Sequence, residues 1–101
     1  MAQNPAQLRE TAMRLLQDAL RKPPTELKSE VDDAERAVVA LRDELIERLR
    51  QAPTDAVRAA LEHVNVSLSL IVGLEYPLGG LQRQMLDQAR TALERAMPGP
   101  M

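Results

Sequence analysis

Apolar residues recur along this chain in steps of three and four, in four blocks set apart by proline and glycine. That rhythm marks amphipathic helices. The first block, 5–21, places Leu8, Ala12, Leu15, Leu16, Ala19 and Leu20 on one stripe. The second, 25–51, runs Leu27, Val31, Ala34, Val38, Leu41, Leu45 and Leu49, close to a heptad seam. A helix of that length reaches roughly 40 Å, long for one small protein to cover. The third, 54–74, begins with Val57, Leu61, Val64, Leu68 and Ile71. The fourth, 80–97, carries Leu81, Met85, Ala89, Ala92, Leu93 and Ala96.

The breaks between blocks agree with this parsing. Asn4 before Pro5 is a helix cap followed by proline at the first helical position. Pro23 and Pro24 end the first block, and Pro53 precedes Thr54, a second candidate cap. Pro77, Gly79 and Gly80 divide the third block from the fourth. Pro98, Gly99 and Pro100 stop the last one and leave 98–101 as a disordered tail. Proline inside a helix costs about 3 kcal/mol, and none falls inside a block. Acid-before-base pairs one turn apart, Glu10/Arg14, Asp18/Lys22, Asp32/Arg36 and Glu44/Arg48, read as solvated helix faces. The pattern predicts an all-α fold over 1–101. Four helices form an antiparallel bundle with a long second helix, because short connections make consecutive helices antiparallel neighbours.

The third block carries a second rhythm. From Val64 to Leu70, apolar and polar residues alternate, which is a strand pattern. The alternative is therefore a strand over 64–72 paired with its twin across a dimer, since the chain offers no second strand. As a helix, the block is apolar on more than one side. Leu68, Ile71 and Val72 cover one side, and Val66, Leu70 and Leu74 another. Such a helix is central in a core or covered by a partner. Val66, Leu68, Leu70, Ile71, Val72 and Leu74, with the lone aromatic Tyr76 in the following turn, are the candidate contact residues. Ala56, Ala60, His63 and Ser67 form a line of mostly small side chains along which a neighbouring helix could approach closely, and internal packing is its first reading.

Composition narrows the function. The chain has 101 residues, 28% of them charged, with net charge −2 and no cysteine. Disulfides and thiolate chemistry are excluded. Interleaved acids and bases without stacking aromatics argue against nucleic acid, and no apolar run approaches the roughly 20 residues of a membrane span. The N-terminus has neither the basic nor the apolar region of a secretory signal, so the cytoplasm is the expected location. No phosphate-binding glycine loop, nucleophile elbow or dinucleotide fingerprint is present. His63 is the single imidazole, a group that ordinarily titrates near neutrality. It has no carboxylate or second histidine at metal-ligand spacing, so no metal and no cofactor are expected.

The run Glu62-His63-Val64-Asn65-Val66-Ser67-Leu68-Ser69-Leu70-Ile71-Val72-Gly73, followed by a turn and another helix, resembles the phosphoacceptor hairpin of histidine kinases. Aligned on Asn65 and Gly73, the family's histidine falls at Glu62 and its glutamate at His63, and Ser67 stands where proline is usual. The likeness is one of hairpin shape, which carries no function by itself.

The expected function is that of a non-catalytic interaction protein, a small regulator or assembly component. It self-associates through helices two and three as a homo-oligomer, with a dimer favoured. Two alternatives are phosphotransfer through His63 and a small-molecule-binding bundle with the Ala/Ser line facing a cavity.

Overall fold

The computed structural model describes residues 4–21, 28–75 and 79–96. It contains α1 (Pro5–Arg21), α2 (Lys28–Gln51), α3 (Asp55–Val72) and α4 (Gly80–Arg95). The boundaries follow local chemistry. Ala6 N–H donates to Asn4 Oδ1 at 2.9 Å, so Asn4 caps α1 with Pro5 in its first position. Val57 N–H donates to Thr54 Oγ1 at 3.2 Å and caps α3. Gly79 has no side chain to cap α4, but its carbonyl accepts from Arg83 N–H at 2.9 Å. Pro23, Pro24, Leu27, Tyr76, Pro77 and the 98–101 tail lie outside the described residues.

Each helix packs on its neighbours in the chain, and α1 packs on α4, so the four close into a ring. No close backbone approach joins α1 to α3 or α2 to α4 among the described residues. The side chains fix the directions. Arg9, near the start of α1, reaches the end of α4, donating from Nε to Leu93 O at 2.7 Å and from Nη2 to Glu94 O at 2.9 Å. Arg83, near the start of α4, donates from Nη2 to Leu20 O at the end of α1. The two helices are therefore antiparallel. Each supplies a guanidinium to carbonyls of the other's last turn, where Leu93 O also accepts from Ala96 N–H at 3.1 Å.

The core is one cluster drawn from all four helices. In α1 it takes Ala12, Leu16 and Ala19, with Leu8, Leu15 and Leu20 packed around them. In α2 it takes Val31, Ala34, Val38, Leu41 and Leu45, none more than 2% exposed. The α2 seam is thus covered by α1 and α3, and its length does not by itself call for a second chain.

Two stripes turn relative to expectation. In α3 the buried positions are Ala60, Val64, Ser67 and Ile71, continued by Leu74. Val57, Leu61 and Leu68 flank them at half exposure. The small residues sit at the centre of the face because only they let α3 come close to its neighbours. In α4 the face centres on Leu86, Ala89 and Leu93, while Leu81 is 69% exposed. Leu86 is a core residue that the expected stripe passed over.

The strand alternative for 64–72 is corrected: those residues are helical to Val72. The alternation has a helical explanation. Asn65 and Ser69, one turn apart, face outward together, and Ser67 points the other way into the core. On the surface, the expected Glu44–Arg48 pair is present at 3.7 Å, while Arg36 pairs with Asp33 at 3.1 Å rather than with Asp32. Arg90 holds Asp87 at 2.9 Å and Glu94 at 2.6 Å. The hydrogen bond to Asp87 is the largest cause raising its already high pKa.

Candidate interaction surface

The second half of α3 builds the surface. From His63 to Leu74 the chain has no Asp, Glu, Lys or Arg. Core packing consumes one side of this stretch: Ile71 is 4% and Leu74 8% exposed, so neither can be touched from outside. Leu68 and Leu70 are half-buried against the same core. Val66 and Val72 are outside it, 53% and 65% exposed. Asn65, Ser69 and Gly73 are exposed between and beside them. Among the described contact candidates, then, Val66 and Val72 are fully presented, Leu68 and Leu70 partly, and Ile71 and Leu74 not at all. Tyr76 lies outside the described residues.

α4 extends the surface on one side. Helical periodicity divides its positions outside the core into two flanks. Arg83, Asp87, Arg90 and Glu94 run along the charged one, which bears the Arg90 ion pairs and the contact with α1. Leu81, Gln84, Gln88, Thr91 and Arg95 run along the other, uncharged until its last member. This second flank faces α3. His63, Val66 and Leu70 of α3 line a shallow groove of about 530 Å³ with Gln88, Thr91, Ala92 and Arg95 of α4. Its lining combines three aliphatic side chains with an amide, a hydroxyl, an imidazole and one guanidinium. Gln84, Gln88, Thr91 and Arg95 escaped the sequence reading, although the spacing carried the signal: with Leu81, the first three make four uncharged positions in steps of three and four within a charge-rich helix.

His63 is half-buried at this groove. Among the described residues, no group of three or more His, Cys, Asp or Glu could hold a metal ion. None of the helices among them is long and apolar enough to cross a membrane. Ala60 and Ser67, from the line of small residues, are fully buried in the core and do not line the groove. Ser67 Oγ has no hydrogen-bond partner there.

The opposite side of the molecule has a different character. The exposed residues of α1 and α2 include Glu10, Arg14, Asp33, Arg36, Asp43, Glu47 and Arg50. The exposed surface of α1 and α2 is therefore dense in charge of both signs, while the flank where the second half of α3 meets α4 carries little of it. No family model, curated protein or solved structure matches this chain.

Proposed function

We propose that this chain is a non-catalytic helical interaction protein, a small regulator or assembly component that self-associates through the outer side of α3 and the adjoining flank of α4. One observation carries the reading. In a protein with 28% charged residues, the stretch from His63 to Leu74 has none, and it presents Val66 and Val72 to solvent. Depletion of charge at the centre distinguishes protein interfaces from the rest of a surface more reliably than bulk hydrophobicity does. A solvated helix face needs no such depletion, as α1 and α2 illustrate. With the apolar seam of α2 turned inward, the reading rests on α3 rather than on both helices.

The test is sedimentation velocity across a dilution series up to tens of micromolar. A mass of twice 11.2 kDa that falls on dilution is the expected result. A compact species of one chain throughout would overturn the reading.

A further inference from the structure

At one end of the neutral flank, Asp55 and Arg58 of α3 hold each other at 3.4 Å, and two further exposed charges stand beside it, Glu62 on α3 and Arg95 on α4. Glu62 precedes Val66 by one turn on α3, and Arg95 follows Thr91 by one turn on α4. The heights of the two helices are fixed by their contacts. Glu75 N–H donates to Gln82 Oε1 at 2.8 Å. Met85 Cε lies 3.5 Å from where a side chain on Gly73 would begin. Leu70 shares the groove with Gln88, and His63 shares it with Arg95. Carried one residue further, this antiparallel register sets Glu62 level with the last turn of α4. Both side chains are exposed, and neither is in an ion pair among the described residues.

We propose that a second copy of this chain packs on the α3–α4 side about a two-fold axis parallel to the helices, so that α3 of each copy lies against α4 of the other. This rests on the self-association reading and adds its geometry. The charges select the axis. A two-fold across the helices would lay α3 on α3 end to end, with Glu62 of each copy at opposite ends and far from either Arg95. A two-fold along the groove preserves height. Each Glu62 then meets Arg95 of the second copy, twice over, because an isologous contact repeats every pair.

Along the helices from those pairs the facing residues are uncharged: Val66, Ser69 and Gly73 on α3, and Gln84, Gln88 and Thr91 on α4. Ser69 and Gly73 are small enough to allow close approach of the α4 helix of the second copy. Two helices about 25 Å long and about 10 Å apart give a footprint of roughly 500 Å². Side-chain relief raises the accessible area above that, toward the ~800 Å² per partner of a standard interface. The ion pairs at the rim set register more than affinity.

Charge reversal tests the arrangement. Glu62→Arg and Arg95→Glu are made separately, confirmed as folded by circular dichroism, and sedimented alone and as an equimolar mixture. Each variant alone places like charges opposite each other in both symmetry-related pairs and is expected to associate about tenfold or more weakly than the parent chain. In the mixture every facing pair is again opposite in sign, so a dimer of one copy of each variant re-forms where each alone is a single chain. Variants that associate like the parent, or a mixture that stays dissociated, would overturn this geometry and leave self-association standing. A parent chain that is itself a single species would remove both.

Discussion

At the scale of single residues, two buried polar atoms among the described residues lack a hydrogen-bond partner, Arg48 Nε, which lies 3.7 Å from Glu44, and Ser67 Oγ. Ser67 is fully buried and its Oγ lacks a hydrogen-bond partner among the described residues. A buried unsatisfied hydroxyl costs about 1–3 kcal/mol, and alanine is the better helix former. Ser67→Ala should therefore raise stability by about 1 kcal/mol, read as a higher urea midpoint at unchanged slope. A lower midpoint would mean that the hydroxyl is satisfied by water or by its own backbone. Thr54 works in the opposite sense. Its hydroxyl accepts from Val57 N–H, and Thr54→Ala should cost about 1 kcal/mol by the same measurement. The Thr54 cap was legible in sequence, because Pro53 before it and Asp55 after it mark a helix start. The burial of Ser67 was less so. Its place on the line of small residues was visible, but a serine between two apolar residues fits a strand edge as well as a helix core until the neighbouring helices fix the rotation of α3.

At the scale of elements, the ends of α1 and α4 are tied by a reciprocal device. Arg9 reaches the last carbonyls of α4, and Arg83 reaches the end of α1. A hydrogen bond to a charged group contributes about 1.5–3 kcal/mol, and part-exposure reduces that. Arg9→Ala and Arg83→Ala should each destabilise by about 1–2 kcal/mol. The sites lie at opposite ends of the helix pair, so the double variant should lose the sum. Thermal or urea unfolding of the two singles and the double checks this. Strong coupling between them would show that the ends communicate through the bundle. Leu86→Ala probes the face of α4 and should cost about 2–5 kcal/mol, whereas Leu81→Ala should be nearly neutral.

The existence of the four helices was readable from proline, caps and periodicity. Their rotation about their own axes was read one position off in α3 and missed Leu86 in α4. Periodicity in an alanine-rich helix defines a broad stripe, and close packing of small residues against neighbours decides where its centre lies. The arginine caps were not readable at all, since each joins residues more than sixty positions apart.

At the scale of the whole molecule, charge is distributed by side. The ring of helices extends 42 × 25 × 18 Å, with α1 and α2 carrying dense mixed charge and α3 and α4 sharing a flank almost free of it. The charge-free run of α3 stood out in the sequence as an excess of apolar side chains. The structure divides that excess between the core, which takes Ile71 and Leu74, and the surface, which keeps Val66 and Val72. The α4 half of the flank emerges only when the antiparallel pairing brings Gln88 and Thr91 beside Val66 and Leu70.

Self-association through this side is the central claim, and sedimentation equilibrium of the parent chain beside Val66→Asp addresses it most directly. Val66 is 53% exposed, so the substitution leaves the fold intact while placing a carboxylate in the middle of the contact. At tens of micromolar, the account predicts twice 11.2 kDa for the parent and 11.2 kDa for the variant. A parent chain at 11.2 kDa, or a variant that associates as the parent does, would contradict it.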